Sequence, residues 1–218
     1  MCKKGGKRIV VKVGTSTLTH STGKTNILGM SRLVSVLADL HNMGHEVILV
    51  SSGAVSVGVG KLNLPSRPKE TRELQAAAAI GQGELMFLYD KMFGEYNVIV
   101  SQLLFTFDAL ENSDEKHHLT DTFNQLLEFG SIPIVNENDS VSVDELLNGD
   151  NDCLSATVAV LTKADMLIML TDTDGLYDSN PAENENARLI ERVEKITPEI
   201  ENMAGGSGAR GTGGFKQK

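Results

Sequence analysis

Short apolar runs alternate along this chain with longer stretches in which apolar residues recur every three or four positions. Ile9, Val10, Val11 and Val13 lie in a run that predicts a strand over 8–14. Met30, Leu33, Val34, Leu37 and Leu40 then share one helical face, predicting a helix over 28–43 that stops at Gly44. A second strand is expected over 46–50, followed by a glycine-rich turn over 51–60. An Ala-rich helix is expected over 70–96, with interruptions at Gly81 and Gly83. Further strands are expected over 98–104, 132–135 and 165–170, and further helices over 119–129 and 152–163. Residues 144–148 read as a polar loop or small hairpin, and 177–203 carry little pattern.

Continuously apolar strands separated by helices belong to a mostly parallel sheet covered on both faces. The expected fold is therefore α/β, a three-layer αβα sandwich with a mostly parallel central sheet. With 218 residues, 40% hydrophobic and 22% charged, the chain suits a single domain with a real core.

The net charge of −9 disfavours nucleic acid and anionic membrane as partners, because phosphate-bearing surfaces need Lys and Arg to neutralise them. A nucleotide needs only a local cluster of donors and is not excluded. Cys2 and Cys153 have no Cys-x-x-Cys spacing, so neither a zinc site nor a disulfide framework is indicated. The basic N-terminus leads into a strand pattern and not a signal sequence, and no apolar stretch reaches transmembrane length. The expected location is cytoplasmic.

Ligands of open parallel sheets bind outside the carboxyl ends of the strands. Polar and small residues gather at those ends: Lys12, Gly14, Thr15 and Ser16, then Ser51, Ser52 and Gly53, then Ser101 and Gln102, then Asn136 to Asp139, then Thr171 and Asp172. Turn chemistry alone favours such residues, but five coincident ends point to a rim that handles phosphate or substrate. Ser21-Thr-Gly-Lys-Thr25 resembles the end of a P-loop, yet position 18 is Leu where that motif needs Gly. Lys24 is read as a solvated loop residue.

Lys12 interrupts an apolar strand, where an unpaired charge is costly to bury. It either snorkels from an edge or aims at phosphate oxygens, with Gly14 letting the backbone approach the anion. Ser51 to Gly58 form a small-residue turn feeding a helix, with backbone N–H groups suited to an anion. Asn136 to Asp139 and Gly149 to Asp152 form two Asn/Asp clusters, the second opening a helix that Asp150 or Asn151 should cap. Their carboxylates suit an ammonium and their amides suit a carboxylate, as an amino-acid substrate requires, while their spacing gives no protein-only metal cage. Asp174-Gly175 reads as a turn, 205–214 as a glycine-rich stretch, 211–218 as either a fifth site segment or a disordered tail, and His117 and His118 as solvated residues ahead of a helix.

Seven segments taken together resemble the amino-acid kinases, and among them the glutamate 5-kinases. They are VVKVGTS (10–16), VSSGAVSVG (50–58), AAIGQGELM (78–86), IPIVNENDSV (132–141), GDNDCLSA (149–156), LTDTDGLY (170–177) and GTGGFKQK (211–218). The resemblance implies MgATP-dependent phosphorylation of the L-glutamate side-chain carboxylate to L-glutamyl 5-phosphate, the first step toward proline. It implies catalytic roles for Lys12, Asp152 and Lys218, with Asp152 orienting the two lysines. It implies glutamate contacts at Ser52, Asp139 and Asn151, with Asp150 beside them. Nucleotide contacts are implied at Lys12, Gly14, Thr171, Asp172, Thr212, Gly213, Gly214, Phe215, Lys216, Gln217 and Lys218. It further implies ATP and Mg2+ as cofactors, a homodimer or homotetramer, and inhibition by proline.

The family's usual terminal motif has Met and Thr where this chain has Phe215 and Gln217. The resemblance also implies that this sequence stops before the family's nucleotide lobe is complete. The expected layout is a substrate lobe over roughly 1–160 and a partial nucleotide lobe over roughly 161–218, without an RNA-modification-type domain. Two other readings stand beside the first: a related kinase for N-acetylglutamate or aspartate, and a truncated, inactive substrate-binding subunit.

Overall fold

The computed structural model describes residues 5–20, 22–106, 109, 112–142, 151–181 and 184–203. Among them, five parallel strands form one sheet in the order β3-β4-β2-β1-β5. The strands are β1 Arg8–Val13, β2 Glu46–Ser51, β3 Ile99–Phe105, β4 Ser131–Glu137 and β5 Met166–Leu170. The helices are α1 Thr15–Leu18, α2 Ile27–Asn42, α3 Ala54–Lys61, α4 Thr71–Gly94, α5 Ser113–Glu128, α6 Asp152–Leu161 and α7 Pro198–Met203.

Alternation along the strands divides the core into two. Ile9, Val11 and Val13 face one side with Val47 and Leu49, where α2, α3 and α4 pack. Val10 faces the other side with Ile48, Val50 and Val135, under α5 and α6. Helices thus cover both faces, and the three-layer αβα arrangement stands. Every residue of β4 is buried, which explains the apolar run over 132–135 and leaves Ser131, Asn136 and Glu137 as buried polar groups at its two ends. Opposite the site, Arg8 fastens the sheet through Glu46 at 2.7 Å and Asn124 at 3.2 Å.

Several elements differ from expectation. α4 runs unbroken through Gly81 and Gly83. Gly81 is the point where α4 crosses α3: a Cβ there would meet the Ala54 carbonyl oxygen at 1.8 Å. Glycine is needed for that close approach and does not break the helix, which is packed on either side of it. α5 starts at Ser113, because Asn112 accepts from the backbone N–H groups of Asp114 and Glu115. His117 and His118 consequently lie within the helix, exposed as expected. Position 18, whose Leu excluded a P-loop, is a buried apolar residue of α1, and Lys24 is exposed.

Candidate functional site

Lys12 and Val10 point to the same face of β1, toward the N-terminus of α6. There the Lys12 ammonium meets the Asp152 carboxylate at 2.6 Å, with side-chain exposures of 8% and 1%. A buried lysine is tolerated here because a carboxylate neutralises it. Asp152 is in the first turn of α6, where the helix dipole favours negative charge. Gly14 follows closely: a Cβ on it would sit 3.6 Å from Lys12 Nζ and 4.0 Å from the Leu170 carbonyl oxygen. The Gly14 backbone therefore lies close to both the lysine head group and the end of β5. Thr171 and Asp172 continue from that end, both exposed, with Thr171 Oγ1 3.4 Å from Asp172 Oδ1.

Beside this pair lies a neutral polar cluster. β1 and β2 pair in register up to Val13 and Ser51, so the ends of both strands stop at one level. Asn151 is fully buried at the N-cap position of α6, yet its side chain makes no capping hydrogen bond. Its Nδ2 donates instead to the Ser51 carbonyl at 2.7 Å, Asn136 Oδ1 at 2.7 Å and Ser52 Oγ at 3.2 Å. The expected cap is thus right in position and wrong in bonding: Nδ2 is held by three acceptors at the ends of β2 and β4, while Oδ1, the atom a cap would use, takes no backbone N–H. Asn136 Nδ2 in turn donates to Gln82 Oε1 on α4 at 3.0 Å. From the same helix Tyr89 places its hydroxyl 3.0 Å from Ser51 Oγ. Burial holds the Tyr89 phenol above its ordinary pKa, so it stays neutral.

Two buried oxygens in this region have no hydrogen-bond partner: Asn151 Oδ1 and Asp139 Oδ1. An orphaned buried acceptor costs stability unless a ligand completes it. Asp139 lies just past β4, and burial, reinforced by the Glu137 carboxylate and opposed by Arg67, pushes its carboxyl up to about 6. It is ionised at neutral pH with little compensating charge, as a receptor for a cation requires.

The structure thus brings Lys12, Asp152, Ser52 and Asn151 to the carboxyl end of the sheet, with Asp139 just past β4 and Gly14, Thr171 and Asp172 flanking Lys12. Asp150 and Thr212, Gly213, Gly214, Phe215, Lys216, Gln217 and Lys218 lie outside the described residues. Gln82 and Tyr89 were not expected at the site. The available signal was a polar pair spaced two helical turns apart on a helix otherwise buried through Ala77, Ala78, Gly81 and Leu85.

The amino acid kinase family model matches residues 7–218. The chain is 55% identical to the glutamate 5-kinase of Clostridium perfringens, over 99% of this chain and 82% of that protein. It is 54% identical to the glutamate 5-kinase of Clostridium acetobutylicum, over 97% of this chain and 79% of that protein. A third glutamate 5-kinase, from Carboxydothermus hydrogenoformans, is 52% identical over 99% of this chain, which spans 58% of that longer protein. Among solved structures, a UMP kinase from Ureaplasma parvum superposes with a TM-score of 0.60 at 16% identity. That match covers 86% of this chain and 76% of the other, and it speaks to the fold alone.

Proposed function

This chain belongs to the amino acid kinase family, and we propose from that premise that it phosphorylates the side-chain carboxylate of L-glutamate with ATP. The product is L-glutamyl 5-phosphate, an acyl phosphate on the route to proline. One observation carries the reading: a buried lysine–carboxylate pair lies at the carboxyl end of the sheet, where two buried acceptors are orphaned. The first half suits transferring phosphate oxygens, and the second suits the ammonium of an amino acid.

Phosphoryl transfer asks for positioning and charge stabilisation. The nucleophile is a carboxylate already ionised at neutral pH, so no general base is needed. Lys12 stabilises charge on the transferring phosphoryl group, held in place by Asp152. Asp139 and Asn151 Oδ1 accept from the glutamate ammonium, and Ser52 lines the same wall. Gly14, Thr171 and Asp172 are assigned to the nucleotide, as are residues 212–218 including Lys218, which lie outside the described residues. Among the described residues no three His, Cys, Asp or Glu side chains gather as a metal cage. Mg2+ would be carried on the ATP phosphates, where it would neutralise their charge.

The same reading divides the chain into a substrate lobe over roughly 1–160 and a nucleotide lobe over roughly 161–218. It includes a cytoplasmic location, a homo-oligomeric state and inhibition by proline. No described helix is long and apolar enough to cross a membrane.

A substrate panel tests the reading, with ADP release measured under MgATP. Glutamate should be turned over at least a hundredfold more efficiently than N-acetylglutamate, which lacks the ammonium, because buried polar groups left unpaired discriminate strongly. Comparable turnover of N-acetylglutamate would contradict it.

A further inference from the structure

The Asn151 carboxamide has its nitrogen edge committed and its oxygen edge unpaired. A carboxamide is nearly symmetric in shape, so something must fix which edge faces the substrate. Its Nδ2 has two hydrogens, and the two shortest contacts go to the Ser51 carbonyl and Asn136 Oδ1, both at 2.7 Å. Asn136 is itself a carboxamide that could present either edge. It presents oxygen to Asn151 because its own Nδ2 is engaged by Gln82 Oε1 at 3.0 Å. Were Asn136 reversed, two NH2 groups would face each other. The Ser51 arm is braced similarly, since Tyr89 holds the Ser51 side chain at 3.0 Å from within the core.

Gln82 and Tyr89 are seven residues apart on α4, two helical turns, and share its sheet-facing stripe with Leu85. Each reaches a different strand, and both strands converge on Asn151. We propose that Gln82 and Tyr89 are positioning residues: α4 sets the orientation of the Asn151 carboxamide and so presents Asn151 Oδ1 as the acceptor for the substrate ammonium. This rests on the reading of Asn151 as a glutamate contact. Neither α4 residue needs to touch substrate. They act through Asn136 and Ser51, and their loss should weaken glutamate binding while leaving the nucleotide half of the site intact.

The test is steady-state kinetics with glutamate and ATP varied separately. Gln82→Met keeps length and removes the acceptor. It should raise KM for glutamate about tenfold, the size expected when a buried hydrogen bond is lost, with KM for ATP near the wild-type value. Tyr89→Phe should shift glutamate KM the same way by a smaller factor, about threefold. It removes one hydroxyl from a filled site and keeps the test available should Gln82→Met not fold. In an Asn151→Ala background either substitution should add no further change in glutamate KM, because the group being oriented is gone. Unchanged glutamate KM in both single variants overturns the proposal. So does an increment that persists undiminished in the Asn151→Ala background, which would mark a general structural effect. A wild-type protein that makes no product from glutamate and MgATP overturns the functional reading and this assignment with it. Product formation with an unresponsive KM overturns this assignment alone.

Discussion

Asp139 shows how much one residue's surroundings decide. Burial and the Glu137 carboxylate raise its pKa from the ordinary 3.8 to about 6, against the pull of Arg67. An acid raised in this way holds its proton more tightly in the folded chain than in the unfolded one. Its contribution to stability is complete below 3.8 and is lost as pH rises through about 6. Substrate capture runs the other way, since an ammonium needs the ionised carboxylate. The kcat/KM for glutamate should therefore fall as pH drops through about 6, and Asp139→Asn should flatten that limb. A limb unaltered by the substitution would assign the titration elsewhere. The residue's place on the rim was legible as the end of an apolar run. Its orphaned oxygen and raised pKa were not, because both depend on the burial that the folded loops supply.

At the scale of elements, α4 and α5 mark where pattern reading succeeds and fails. Apolar periodicity found the second half of α5 and missed its start, since Ser113 to His118 contain no apolar residue. The Asn112 cap with Asp114 and Glu115 in the first turn was the signal to use instead. In α4 the sequence shows two glycines that look alike and are not. At Gly81 an added methyl would meet Ala54 O at 1.8 Å and Gly58 N at 2.5 Å, both backbone atoms that cannot step aside. At Gly83 it would meet nothing within 4 Å. Gly81→Ala should cost about 3 kcal/mol or more, while Gly83→Ala should stabilise by about 0.5–1 kcal/mol through helix propensity. Thermal unfolding of the two variants checks this, and a Gly81→Ala protein as stable as wild type would contradict the described crossing of α3 and α4.

For the whole molecule, the strand order does what no local pattern can. Lys12, Ser52, Asn136 and Asn151 are far apart in the chain, yet β4, β2 and β1 lie side by side and end at one rim. The alternation of strands and helices made that rim legible at Lys12, Ser52 and Asp139 but not at Ser101 and Gln102, which lie inside β3 and not at its end; Asp152 was read in the cluster that opens a helix. The order β3-β4-β2-β1-β5 was not legible, so neither was the set of contacts in which α4 reaches Asn151 through two different strands. The same order separates the proposed tasks. β5, on one flank of β1, leads to Thr171 and Asp172 on the nucleotide side. β2 and β4, on the other flank, carry the groups proposed to hold glutamate. Lys12 stands between them, where phosphate must cross.

That claim is tested most directly by trapping the product. Purified protein is incubated with MgATP, glutamate and hydroxylamine, and the hydroxamate is measured against ADP, with Lys12→Ala alongside and its folding checked by circular dichroism. Hydroxamate at the side-chain carboxyl, equal to ADP and reduced at least a hundredfold in kcat by Lys12→Ala, is the predicted result. Glutamate-dependent hydroxamate formation with an unchanged kcat in a folded Lys12→Ala protein would contradict it.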